Sequence, residues 1–344
     1  MDIFTNLSEE ASYSMPKLQG IITAWVMSSP FESNGGKVSS ANGHVAEEDY
    51  TKQSIYSLLY SVYRNVGTVK SDLGIPYEFT FNTWGYAWPK RWGKAPIRDD
   101  DPQRFGKNAY TGLYHFEPIK KLAAERNGRV HIVEMGCGTG AGADLTCEHT
   151  LPKCTYEAID MQFAGVSTCR KKFVGKHSHR LVATRADATK LPIDDGVADI
   201  VAVCETHVTD QGEVMTEEDR KFFRSANRVL KPGGFLTWGN AIPEIAWKPS
   251  FDFMESIGMK VVDVQDVTEE AVLARDQDEA RIEAYIEQAL AKFPAFNVPV
   301  WGPKKKLEAA LAMKNLCRHP GTRLYEDMKT RGDTYKVVLV QKKA

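Results

Sequence analysis

From residue 130 onward the chain alternates short apolar runs with polar, helix-compatible stretches, the pattern of strands buried on both faces and joined by crossover helices. The first run, Val130-His131-Ile132-Val133-Glu134-Met135, passes directly into Gly136-Cys137-Gly138-Thr139-Gly140. Further strands are predicted at 154–160, 181–188, 198–203, 235–240 and 259–265, with a helix at 251–257 and a last strand at 335–341. Upstream, residues 49–63 carry Ile55, Leu58, Leu59 and Val62 at helical spacing, with Tyr56, Tyr60 and Tyr63 interleaved, and predict a capping helix. Residues 33–43, rich in Gly, Ser and Asn, read as a loop between that helix and the apolar segment 21–27. Between the last two strands lies a charged amphipathic insertion with Ile282, Tyr285, Ile286 and Leu290 on one helical face. The chain thus divides into a helical and aromatic cap (1–106), a Rossmann-like α/β core (107–266), a helical lid insertion (267–330) and a final core strand (331–344).

A strand that ends in closely spaced glycines brings backbone against a ligand where any Cβ would collide. Asp160, at the end of the next strand, lies about twenty residues on, the place from which a carboxylate can accept ribose hydroxyls. Both features are shared with nicotinamide-binding domains, so an NAD(P)-dependent oxidoreductase is the alternative from another class. The spacing disfavours it: Gly136, Gly138 and Gly140 do not form G-x-G-x-x-G, and Glu134 would repel a pyrophosphate at the helix N-terminus.

Four ordered motifs extend the comparison. They are Glu134 to Gly140, Asp160, Asp187-Ala188, and Arg228-Val229-Leu230-Lys231-Pro232-Gly233-Gly234. In this order they resemble the class I S-adenosyl-L-methionine (SAM) dependent methyltransferases, with a seven-stranded sheet. The resemblance implies that Glu134, Gly136, Cys137, Gly138 and Gly140 cradle the amino-acid end of SAM. It further implies that Asp160 and Met161 meet the ribose and its surroundings, and that Asp187 and Ala188 flank the adenine. Cys204 and Glu205, at the carboxyl end of the fourth core strand, complete the expected cofactor set with Tyr110. SAM carries an ammonium and a sulfonium and no phosphate, so an acid at the first strand's end is an asset.

Composition narrows the partners. The net charge of −1 over 344 residues provides no basic field for nucleic acid. No apolar window is long enough for a membrane span and the N-terminus lacks signal-peptide order, so a cytoplasmic enzyme is expected. Six cysteines without paired spacing read as reduced thiols. A homodimer is compatible with this composition.

The acceptor side is less patterned. Tyr77, Phe79, Phe81, Trp84, Tyr86, Trp88, Trp92, Phe105, Tyr110, Tyr114, His115 and Phe116 crowd one connector, enough for an apolar wall or for core packing. Residues 81–86, 108–115 and 321–335 are similar to the phthiotriolone-type lipid O-methyltransferases, and Tyr110, Tyr114 and His115 become candidates for cofactor lid or acceptor contact. His207, in the loop after the fourth core strand, is the candidate general base, with Asp210 or Glu205 to orient it. An ordering role for His207 is the competing reading. Phe293, Phe296, Trp301 and His319 would line the lid. His207, Asp210 and His319 match no dedicated metal motif, and no metal is expected. The sequence therefore predicts a SAM-dependent methyltransferase of secondary metabolism acting on a small, largely apolar acceptor, most readily a polyketide, lipid or phenolic hydroxyl. C-, N- or S-methylation, including sulfonium formation, and SAM binding without catalysis are the alternatives.

Overall fold

The computed structural model describes residues 68–70, 76–81, 83–206, 215–291, 306–307, 310–311, 313–315 and 317–344. The predicted capping helix, the loop at 33–43, His207, Asp210, Phe293, Phe296 and Trp301 lie outside the described residues.

A small antiparallel pair, β1 (Thr68–Lys70) and β2 (Pro76–Glu78), precedes an irregular strap at 79–81 and 83–89. Helices α1 (Arg104–Leu113) and α2 (Glu117–Glu125) follow. The core then runs β3 (His131–Met135), α3 (Ala141–Leu145), β4 (Thr155–Asp160), α4 (Phe163–Lys172), β5 (Leu181–Arg185) and β6 (Ala198–Cys204). It continues with α5 (Glu217–Val229), β7 (Leu230–Pro243), α6 (Glu244–Ser256) and β8 (Met259–Asp266). The long α7 (Thr268–Ala291), the short α8 (Arg323–Lys329) and β9 (Asp333–Lys342) complete the chain.

Seven strands form one sheet in the order β5-β4-β3-β6-β7-β9-β8, with β9 antiparallel to both neighbours and the others parallel. This is the seven-stranded Rossmann-like sheet the sequence predicts. The chain steps outward from β3 to β4 and β5, then crosses back to β6 on the other side of β3. That reversal makes a topological switch point at the carboxyl ends of β3 and β6, the place where open α/β sheets hold ligands.

Every residue of β6 is buried, as a central strand covered on both faces requires, whereas β8 at the edge alternates and leaves Val262 and Val264 exposed. One face packs Phe222, Phe223, Trp238 and Trp247 under α5 and α6. The other packs Tyr86, Tyr110, Leu113, Tyr114 and Tyr156 beneath the strap and α1. Of the aromatic connector, Phe79, Phe81, Tyr86, Phe105, Tyr110, Tyr114 and Phe116 are buried in the core. Ile282, Tyr285, Ile286 and Leu290 are buried along α7, as their spacing predicts.

Three boundaries differ from the sequence reading. The helix predicted at 251–257 begins at Glu244, with Pro249 inside it. The carbonyl that Pro249 leaves without its i−4 partner is that of Ile245, in the solvent-facing first turn, which makes the proline tolerable. The predicted strand at 181–188 stops at Arg185, because the Asp187 carboxylate accepts from the Thr189 N–H and caps a single 3-10 turn. Strand β7 starts at Leu230 and not at 235: Ala198 faces Leu230 and Ile200 faces Phe235, so 231–234 bulge outward.

Candidate active site

The glycine loop follows β3. Gly136, Gly138 and Gly140 all hold positive φ (+88°, +55° and +84°), a region costly to any side chain. A Cβ on Gly136 would lie 2.1 Å from the Thr206 side chain, and one on Gly140 would lie 2.2 Å from Cys169 Sγ. The loop is stitched to β4: the Gly136 and Cys137 N–H groups donate to the Ile159 carbonyl at 2.7 and 2.9 Å. Cys137 is buried beside them, a packing role.

Asp160 bridges two turns. Its carboxylate accepts from the Gly138 N–H at 2.9 Å and from the Gln162 N–H at 2.7 Å, so it braces the loop and the entry of α4 together. Met161, next to it, is 47% exposed, an apolar surface beside the loop. Asp187 is exposed after β5, with Oδ1 taken by Thr189, and Ala188 packs partly against the core.

Glu134 is fully buried at the end of β3. Its Oε2 accepts from the Tyr156 hydroxyl at 3.0 Å, while Oε1 has no hydrogen-bond partner among the described residues. Burial raises its pKa from an ordinary 4.5 to about 7, opposed by the Tyr156 and Tyr110 hydroxyls and abetted by the negative Asp160. Tyr156 sits two residues before Ala158, the strand partner of Glu134, so the two side chains share a face of the sheet. Tyr110 packs on Gly142, where a Cβ would meet its ring at 1.8 Å, and stands edge-on to Phe81 with centroids 5.9 Å apart. Tyr114 lies buried on the same side, and burial drives the Tyr110, Tyr114 and Tyr156 phenols well above their ordinary pKa. These tyrosines are neutral hydroxyls around a carboxyl.

His115 stands apart from that group. It stacks on Trp92 at 4.6 Å and meets Trp88 edge-on at 5.4 Å, and burial lowers its pKa. The structure thus brings Tyr110 and Tyr114 together with Glu134 and places His115 in a tryptophan cluster.

The strap covers the loop. The Thr139 hydroxyl donates to the Thr80 carbonyl at 3.1 Å. Glu205, held at φ +47° just after β6, turns its carboxylate to the N–H groups of Trp84 (2.9 Å) and Gly85 (2.7 Å) and to the Tyr335 hydroxyl (3.1 Å). Arg275 on α7 donates to the Trp84 carbonyl, and Phe79 stacks on Tyr285 at 4.3 Å. Cys204 is buried beneath, its thiol pushed up by burial and by Glu205. Sequence reasoning assigned Glu205 to the cofactor and missed this clamp, as well as Tyr156, Thr206 and Arg275. An acid at a strand's end signals a ligand or a loop anchor equally until its donors are seen.

The residues present suit SAM. A buried carboxyl with one orphaned oxygen lies behind a loop that only glycines trace, and a cation brought to it would stabilise its ionised form. Met161 and Asp187 offer apolar and acceptor groups along the same edge of the sheet.

A protein-family profile described as "Methyltransferase domain" matches residues 133–238. No curated protein matches the chain, and the narrower likeness to phthiotriolone-type enzymes rests only on the residues that suggested it. Among solved structures, the chain is similar to the (4+2)-cyclase SpnF at 18% identity and a TM-score of 0.51, covering 86% of this chain and 96% of that one. It is also similar to a putative sarcosine dimethylglycine methyltransferase from Galdieria sulphuraria at 12% identity and a TM-score of 0.53, covering 84% and 98%. These two likenesses describe the fold. The segment from β3 to β7 thus matches a methyltransferase domain, the strand order is that of the Rossmann-like class I methyltransferase fold, and SAM is the cofactor consistent with both.

Proposed function

We propose that the protein transfers the methyl group of SAM to a hydroxyl of a small, largely apolar acceptor such as a polyketide, lipid or phenol. The observation that carries this reading is the buried Glu134 carboxyl behind the Gly136–Gly140 loop, roofed by an aromatic strap. When bound, SAM supplies an electrophilic methyl on a positively charged sulfur. Glu134 and Asp160 give the pocket negative charge at one end, and Tyr110, Tyr114 and Tyr156 keep Glu134 away from water. Residues 79–81 and 83–86, the latter clamped by Glu205 and Arg275, would keep solvent from the bound cofactor and so strengthen electrostatic contacts with it. Holding acceptor oxygen and methyl in line would supply most of the rate. His207, which follows β6 in the sequence, is assigned the hydroxyl proton, because imidazole is the side chain ordinarily suited to proton transfer near neutral pH.

The aromatic composition of the strap supports an apolar acceptor, and the fold itself is silent on the acceptor because one fold hosts many chemistries. The test is incubation with methyl-labelled SAM and a panel of phenols, hydroxylated polyketides, hydroxy-lipids and amines. Label on oxygen of an apolar acceptor supports the proposal; label only on carbon, nitrogen or sulfur replaces it. Among the described residues no helix is long and apolar enough to cross a membrane.

A further inference from the structure

On the outer side of α7, one turn apart, Glu279 and Glu283 point the same way, as i and i+4 residues do. Facing them is His319, which belongs to the segment before α8 and is only 4% exposed. Its Nε2 lies 3.8 Å from Glu279 Oε1 and 3.5 Å from Glu283 Oε1, and it has no hydrogen-bond partner among the described residues. The other ring nitrogen is already engaged: Nδ1 is 2.9 Å from the Pro320 carbonyl, which can only accept, so Nδ1 donates there and Nε2 alone is turned toward the two carboxylates.

A buried polar nitrogen without a hydrogen-bond partner is costly. The two carboxylates straddle Nε2 at 3.8 and 3.5 Å, and it makes a hydrogen bond to neither. Donors bound to one ion at about 2.1 Å stand roughly 3.0–3.4 Å from one another; the imidazole nitrogen lies 3.8 and 3.5 Å from the two carboxylates, and all three donors lie within 4.8 Å of one another. The hydrogen bond from Nδ1 to a backbone carbonyl is the outer support that metal-bound imidazoles use.

We propose that Glu279, Glu283 and His319 form a site for a divalent first-row transition ion, with water completing its coordination. One imidazole and two carboxylates suit Zn2+, Co2+ or Mn2+ better than the all-oxygen ions Mg2+ and Ca2+. The sequence reading expected no metal because the spacing of His207, Asp210 and His319 matches no dedicated motif, and it did not weigh Glu279 or Glu283. The ion would staple α7, which holds the strap through Arg275, to the segment leading into α8. Lys314 Nζ sits 2.6 Å from Glu283 Oε1 and opposes a cation there. The site shares no residue with the glycine loop and stands or falls independently of methyl transfer.

The test is titration of tag-free, chelator-stripped full-length protein with Co2+, followed by visible absorption, and with Zn2+, followed by calorimetry. One equivalent should bind with micromolar affinity and raise the melting temperature. The exposed Glu279→Gln substitution should weaken binding at least tenfold without unfolding the chain, His319→Ala should do the same, and Lys314→Gln should tighten it several-fold. X-ray absorption should show only light nitrogen and oxygen donors. Absence of stoichiometric binding would overturn the proposal, as would undiminished binding in Glu279→Gln or sulfur in the coordination shell, since that would move the ion to the cysteines.

Discussion

Replacing Glu134 with Gln isolates the electrostatic heart of the site. In the cofactor-free protein the carboxyl is fully buried with a pKa of about 7 against an ordinary 4.5. Because the folded value lies above the unfolded one, the folded state holds the proton more tightly. The stability this group contributes is therefore complete below about pH 4.5 and lost as pH rises through about 7, amounting to about 3 kcal/mol. A cation held beside Glu134 requires the ionised form. SAM affinity should then be about tenfold weaker at pH 6 than at pH 8, with close to one proton released per SAM bound at pH 6. Glutamine can still accept from Tyr156 but cannot titrate. The Glu134→Gln variant should bind SAM more weakly at pH 8, show a flat pH profile from 6 to 8, and lose the fall in melting temperature that the wild type shows over that range. Calorimetry in buffers of different ionisation enthalpy, paired with thermal denaturation, reads all three. A wild-type affinity that does not change between pH 6 and 8, or a variant with the wild-type slope, refutes the reasoning.

Asp160→Ala removes the acceptor of the Gly138 and Gln162 N–H groups as well as the proposed ribose contact, and should weaken SAM binding by roughly 1–3 kcal/mol in calorimetry; unchanged affinity would take Asp160 out of the site. Glu205→Ala strands the Trp84 and Gly85 N–H groups and should destabilise the protein by roughly 2–3 kcal/mol. Hydrogen exchange at residues 83–87 should speed up in that variant, and wild-type protection there would contradict the clamp. His207→Ala should lower turnover on a hydroxyl acceptor by roughly a hundredfold with SAM affinity intact; an unchanged rate would leave His207 an ordering residue.

The sheet was legible because its strands carry two simple signals. Runs such as Ile132-Val133 and Ile200–Cys204 are apolar without interruption, as strands covered on both faces must be, and glycines mark where the backbone needs positive φ. The amphipathic face of α7 was equally plain from Ile282, Tyr285, Ile286 and Leu290. Other features depend on partners far away in sequence. Pro249 suggests a break until the exposure of the first turn is known. Glu205 and Asp160 are both acids at strand ends, yet one clamps the strap while the other braces the glycine loop, and only their donors distinguish them. Tyr156 became a partner of Glu134 through the β3–β4 register. His115 looked like a companion of Tyr114, but one residue along a helix terminus turns a side chain to another neighbourhood, here Trp88 and Trp92. Glu279, Glu283 and His319 meet only because the segment before α8 packs back on α7.

The central claim is that the switch point at the ends of β3 and β6 holds SAM and not a dinucleotide. Calorimetric titration with S-adenosylhomocysteine, with NADH run beside it, tests this most directly. The account predicts one equivalent of S-adenosylhomocysteine bound with micromolar affinity and no heat from NADH. Binding of NADH alone would contradict it, and with it the reading of Glu134 and the Gly136–Gly140 loop.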